Sequence, residues 1–190
     1  MRFITNILEK LQSHPKRVVF PEGNDPRVIQ AARQFFTLKL GTPILLGQRE
    51  TIKETAGQLG LSMEGLRVIN PAESMELDEF TLQFMRLQRG TNLDPKEARN
   101  AMLRPNYFAT MMLARRGVDV LVSGAADSDG VLLRPVRQIL RTAESNNPTL
   151  CGCQVIEFPD GENRGIGSDG VLFLADCEVE TDPTTERLAE

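Results

Sequence analysis

The sequence predicts an α/β protein: a parallel sheet with helices on both faces, plus the start of a second α/β domain. Three observations carry this expectation. Strand-like and helix-like stretches alternate through residues 1–140. Residues 118–140, VDVLVSGAADSDGVLLRPVRQIL, set a short apolar run, a loop of very small residues and a helical stretch in series. The alternation then stops near Ser145-Asn146-Asn147-Pro148, beyond which two strand-like runs flank a Gly-, Asp- and Asn-rich connection. The expected division is a first α/β domain over residues 1–145 and the beginning of a second over residues 146–190.

Each element has a local reason. Phe3, Ile4, Ile7, Leu8 and Leu11 recur at helical spacing, so the chain should open with a helix. Residues 17–20 form a short strand before the loop PEGNDP. Asp25 and Pro26 suit the N-cap and first position of a helix, whose apolar stripe is Val28, Ala31, Ala32, Phe35 and Phe36 and whose stop is Gly41. A second strand covers residues 43–47, a helix residues 50–59 and a third strand residues 66–69. Leu77, Phe80, Leu82, Phe84, Met85 and Leu87 spread over a wide helical arc that ends at Gly90. Asp94-Pro95 opens a further helix through Met102, and another runs over residues 106–116 with Gly117 as its stop. Residues 118–122 read as a strand buried on both faces, followed by a helix that opens with Arg134-Pro135. In the tail, residues 149–158 and 170–179 suggest a hairpin, and Pro183 starts a last helix over residues 184–189.

Composition narrows the function classes. With 41% apolar and 25% charged residues, the 190-residue chain has an ordinary globular makeup. A net charge of −4 with the signs interspersed argues against nucleic acid as a partner. No apolar run approaches the roughly 18–20 residues of a membrane span. The N-terminus lacks the features of a secretory signal, so no membrane partner and a cytoplasmic location are expected. Cys151, Cys153 and Cys177 are an odd set, read as reduced structural thiols, with a redox or catalytic cysteine as the alternative. The lone histidine, His14, is far from them in sequence, so no metal is expected.

The chemistry-bearing stretch is the loop after residues 118–122. Ser123, Gly124, Ala125 and Ala126 carry little bulk, so an anion can approach the backbone and the N–H groups of the next helix. Arg134 adds a planar cation suited to phosphate. The same pattern also serves simply to connect a strand to a helix.

Several segments, read in order, resemble the phosphate acetyltransferase (phosphotransacetylase) family within the phosphate acetyl/butyryltransferase group. They are Val19-Phe20-Pro21-Glu22-Gly23 with Arg27, Pro43-Ile44-Leu45-Leu46-Gly47, Arg86-Leu87-Gln88-Arg89-Gly90 with Glu97-Ala98-Arg99, and Tyr107-Phe108-Ala109-Thr110-Met111-Met112. Val122-Ser123-Gly124-Ala125, Leu133-Arg134-Pro135 with Gln138-Ile139, Ala175-Asp176-Cys177, and Pro183-Thr184 with Glu186-Arg187-Leu188-Ala189-Glu190 complete the series. A related module ends some malic enzymes; Arg134-Pro135 and Ala175-Asp176-Cys177 favour the acyltransferase.

The resemblance implies reversible conversion of acetyl phosphate and CoA into acetyl-CoA and phosphate, with CoA as a substrate, no bound cofactor and no metal. It implies small-molecule substrates and a homodimer. It assigns Arg134 to the acyl phosphate as the catalytic arginine and Arg86 to phosphate or the CoA end. Ser128 falls on the small hydroxyl position of the binding loop, and Ser123 and Gly124 shape its backbone. Without the resemblance, Arg86 is a cation at a helix C-terminus and Ser128 a helix cap.

Two departures matter. Where the family carries a neutral His-Ser/Thr-Thr run, this chain has Asp127-Ser128-Asp129 and then Gly130. Each carboxylate there weakens an anion by about 1 kcal/mol or more at an effective dielectric of about 20, unless it caps the helix or pairs with Arg134. The family's returning C-terminal segment, which holds the serine, arginine and aspartate implied in thiol activation, also lies beyond residue 190. The first domain is therefore expected to be incomplete and the chain alone nearly inactive. A non-catalytic homologue that binds CoA or an acyl phosphate is the alternative, and a structural subunit that completes another chain is a third.

Overall fold

Apolar residues alternate along the strands of a parallel sheet, and that alternation builds two cores. The structure, a computed structural model, describes residues 2–126, 129–140, 152–158, 165–168 and 170–175. Its main sheet contains β1 (Lys16–Phe20), β2 (Gly41–Leu46), β3 (Arg67–Ile69) and β4 (Val120–Leu121) in the order β3-β2-β1-β4, all parallel. Val18, Phe20 and Leu45 face one side, against Val28, Ile29 and Ala32 of α2 (Pro26–Thr37) and Ile52 and Ala56 of α3 (Arg49–Gln58). Val19, Ile44 and Leu46 face the other side. There they meet α4 (Leu77–Leu87), α5 (Pro95–Met102), α6 (Pro105–Ala114) and α7 (Asp129–Ile139). This is the expected α/β sheet with helices on both faces.

The chain divides into two units, one of Leu11–Leu140 and one of Met1–Lys10 with Arg141–Glu190. The sequence boundary near Pro148 lies outside the described residues. α1 (Arg2–Ser13) begins in the smaller unit, where the Phe3 and Ile4 amides donate to the Glu157 carboxylate at 2.9 and 3.2 Å. That unit also holds β5 (Cys153–Glu157) and β6 (Val171–Ala175), an antiparallel pair as the tail pattern predicts. The Phe173 ring meets Phe3 edge-on at 5.8 Å. Cys151, Cys177 and the predicted helix over residues 184–189 lie outside the described residues. Among the described residues, no helix is long and apolar enough to cross a membrane.

The structure corrects three local expectations. The run at residues 118–122 is not a strand buried on both faces. Only Val120 and Leu121 pair, on the sheet's edge, and Val120 and Val122 stay 39% and 47% exposed because, among the described residues, no strand lies beyond them. α7 does not open at Arg134-Pro135: it starts at Asp129, so Pro135 is interior. Proline has no N–H to give to the Val131 carbonyl one turn earlier, and the fully buried ring is kept there by packing. Arg134 is thus beyond the first turn, where the helix dipole has little effect on it. The helix stops also differ from the glycines read as stops. After α2 and α6 the left-handed residues are Lys39 (φ 59°) and Arg116 (φ 57°), not Gly41 or Gly117.

Gly41 serves close approach instead. A Cβ there would sit 1.8 Å from the Lys16 carbonyl oxygen, inside the β1–β2 pairing. Gly41→Ala should therefore cost about 2–3 kcal/mol, at the upper end of ordinary point substitutions. Urea unfolding of the parent and the variant checks this; equal midpoints would show that the strands can separate at no cost.

Candidate functional site

The strand order locates the site. From β1 the chain moves outward through α2 to β2 and through α3 to β3, on one face. It then crosses by α4, α5 and α6 on the other face to β4, on β1's opposite side. The loops leaving β1 and β4 therefore diverge, and such a divergence opens a crevice at the carboxyl edge of a parallel sheet. A cavity of about 620 Å³ lies there. Pro21, Glu22, Asn24 and Asp25 after β1 form one wall, with Leu46 at the end of β2. Arg104 at the N-cap of α6 and the helix's first residues, Pro105 to Tyr107, line it together with Ala126, Val131 and Arg134.

The small-residue loop after β4 is an anion nest, and its occupant is Glu22. Glu22 Oε2 accepts from the Gly124 and Ala125 amides at 2.9 and 3.0 Å, and Oε1 accepts from the Ala126 amide at 2.7 Å. The Ser123 hydroxyl lies 3.4 Å from Glu22 Oε2 and 3.5 Å from Asn106 Oδ1. Gly124 makes the geometry accessible: its φ of 110° is one that L side chains rarely adopt. Arg27 holds the same loop from its other side by donating to the Ala125 carbonyl. The sequence correctly suggests that this backbone attracts a negative charge. It does not reveal that the charge comes from the protein. The available signal was Glu22 itself, a carboxylate right after a strand in a loop facing that nest.

Asp25 caps α2 by accepting from the Arg27 amide at 2.8 Å and also pairs with the Arg27 guanidinium. The guanidinium hydrogen bond, with the backbone one, holds the Asp25 carboxyl down to about 2. Below the sheet's other edge, Arg17 chelates Asp119 at 2.8 and 3.1 Å and reaches the Arg116 carbonyl, and Asp119 also accepts from the Arg17 amide. The Arg17 side-chain bond holds the Asp119 carboxyl well below the usual carboxylate range.

The cationic wall rests on an aromatic anchor. Tyr107, 5% exposed, meets the Phe84 ring edge-on at 5.6 Å and donates its hydroxyl to Gln138 Oε1 at 2.6 Å. Gln88 at the end of α4 donates to the Gln138 carbonyl at 3.0 Å. These bonds tie α4, α6 and α7 together beside the cavity. Arg104 lies over the Tyr107 ring at 5.9 Å, a cation–π distance.

The residues named from sequence fall into three groups. Arg134 lines the cavity, and Ser123 and Gly124 belong to the loop that Glu22 grips. Arg86, in the last turn of α4, is exposed and does not line the cavity. Ser128 and Asp127 lie outside the described residues, and Asp129 begins α7.

The fold and this crevice define an α/β protein whose anion-directed loop and arginines meet at the carboxyl edge of a parallel sheet. The chain belongs to the phosphate acetyl/butaryl transferase family, whose model matches residues 2–190. It is 32% identical over 189 residues to the phosphate acetyltransferase of Thermoanaerobacterium thermosaccharolyticum, covering 100% of this chain and 56% of that protein. Against the Bacillus subtilis phosphate acetyltransferase it is 30% identical over 186 residues, 98% of this chain and 54% of that protein. A phosphotransacetylase structure from Streptococcus pyogenes superposes with a TM-score of 0.82 at 29% identity, covering 98% of this chain and 54% of that one. The chain thus spans about half the length of these relatives.

Two outcomes follow from this geometry. Glu22→Gln, which keeps the size and removes the charge, should speed hydrogen exchange at the 124–126 amides by about 10-fold or more, as expected on losing charged hydrogen bonds. Unchanged protection would mean the loop holds itself. Asp25 lies below its ordinary 3.8, so its contribution is complete above that value and is lost as pH falls through about 2. Urea midpoints taken on descending pH should fall less for Asp25→Asn than for the parent; parallel curves would remove Asp25 from the acid response.

Proposed function

We propose that this chain forms the part of a phosphate acyltransferase that holds the acyl phosphate and coenzyme A, for reversible conversion of acetyl phosphate and CoA into acetyl-CoA and phosphate. The observation that carries the reading is the placement of Arg134 in the cavity at the divergence of the β1 and β4 loops. In the forward direction the CoA sulfur bonds to the acetyl carbon, the carbon–oxygen bond to the phosphoryl group breaks, and phosphate leaves with the electron pair. Arg134 balances the charge gathering on that oxygen. Arg86 is proposed to meet phosphate or CoA from outside the cavity. Ser128 supplies a hydroxyl to the same ligand, and Ser123 and Gly124 shape the loop. Small-molecule substrates, a cytoplasmic setting and a homodimer belong to the same proposal.

The thiol proton sets a limit. A base must take it, and the cavity's carboxylates are poorly suited. Glu22 already accepts from three amides, and Asp25, at about 2, is too weak a base. Among the described residues, the cavity therefore favours ligand holding over thiol activation. The same observation supports a second reading, a homologue that binds CoA or an acyl phosphate without turning it over.

A binding and turnover comparison tests both. The 190-residue chain should give a calorimetric CoA isotherm yet form no acetyl-CoA from acetyl phosphate above the buffer rate. The gene product that carries this chain should form acetyl-CoA, and Arg134→Gln should lower its kcat/KM by about 100-fold or more, as for the loss of one transition-state donor. Binding without turnover in both proteins favours the second reading. No CoA binding at millimolar ligand overturns both.

A further inference from the structure

Arg104 breaks a local rule. It stands at the N-cap of α6, where Ser, Thr, Asp or Asn is usual, and its side chain makes no capping bond. The N-terminal end of a helix carries about half a positive charge, so the exposed Arg104 guanidinium gains nothing from the dipole there. Local misfits of this kind tend to mark sites where another requirement has won. Arg104 also opens into the cavity that Arg134 lines. Among the described residues, neither arginine has a carboxylate partner.

The cavity's own acids do not meet this demand. Glu22 is held by the amides of residues 124–126, and Asp25 by Arg27. Because Glu22 fills the nest, the loop backbone does not offer those amides to a ligand. Anion recognition then falls to side-chain cations. Arg104 is prepared for the task by its stack on Tyr107, which is itself fixed by Phe84 and Gln138. A stacked guanidinium gives up less freedom when it binds.

We infer that Arg104 is a second anion-contacting residue of this cavity, acting with Arg134 on a phosphate dianion. The inference rests on the cavity being the substrate site. The phosphate belongs either to the acyl phosphate and its product or to the ribose 3′-phosphate of CoA, and the arms of one experiment separate these sources.

Calorimetric titrations of the 190-residue chain with inorganic phosphate, CoA and dephospho-CoA test it, using the parent, Arg104→Gln, Arg104→Lys, Arg134→Gln and Arg115→Gln. Arg115 pairs with Glu79 away from the cavity and serves as a control for surface charge. Arg104→Gln should weaken phosphate binding by roughly 10- to 100-fold, the range for losing one charged hydrogen bond. Arg104→Lys should fall between the two, and Arg115→Gln should match the parent. If the loss appears instead with CoA and not with dephospho-CoA, the contact stands and its phosphate is CoA's. If the parent binds and Arg104→Gln binds within about twofold of it in every arm, the Arg104 contact is overturned while the cavity remains the substrate site. If the parent binds none of the three at millimolar concentration, the substrate-site reading fails and the inference with it.

Discussion

The carboxylate of Glu22, set into the amides of Gly124, Ala125 and Ala126, joins the two loops from which the crevice is made. β4 contributes only two paired residues to the sheet and, among the described residues, has no neighbouring strand on its far side. It is secured by charge-assisted bonds at each end. Arg17 and Asp119 meet before it, and Glu22 meets the loop after it. Such bonds are stronger than neutral ones and suit a strand with so little ladder of its own. Arg27 adds a grip on the Ala125 carbonyl, so the loop is held through both its donors and an acceptor.

The opposite wall is held by packing. α6 is buried over most of its length, from Asn106 to Met112, and its Phe108 and Tyr107 rings meet Phe80 and Phe84 of α4. Gln138 receives the Tyr107 hydroxyl, which brings α7 to the same point. The cavity thus has one wall built from carboxylate–amide bonds and one from aromatic contacts, with its two arginines on the second. Acids and bases lie within one small space without neutralising one another, because each acid has an internal partner.

Much of this architecture was legible in the sequence. Asp25-Pro26 announced the start of α2 and Asp94-Pro95 that of α5. The apolar stripes placed the helices, and the change in pattern near Pro148 foretold the antiparallel pair β5–β6. The misreadings share a cause, which is tertiary context. An apolar run looks the same at a sheet edge as at its centre, so β4 was read as buried on both faces. Arg134-Pro135 resembles a helix start because proline favours one, yet packing keeps Pro135 inside α7. Lys39 and Arg116 take left-handed positions that propensity assigns to glycine. At the site, Arg134 was found through its residue type and its place after the small loop. Glu22 was not, because its partners, the amides of residues 124–126, are distant in the chain.

The wide separation of β1 and β4 along the chain bears on how the molecule folds. Glu22 and Gly124 are 102 positions apart, and β1–β4 pairing closes that whole intervening segment into a loop. Closing it costs chain entropy, whereas β1–β2 pairing spans one helix and forms from local contacts. The crevice therefore sits at the contact whose closure costs the sheet the most chain entropy. A ligand that bound across it would act as a cross-link on the closed chain, raising the free energy of opening by mass action in proportion to the logarithm of its concentration. Occupancy of the crevice by any such ligand and the persistence of the closed chain would then be one equilibrium.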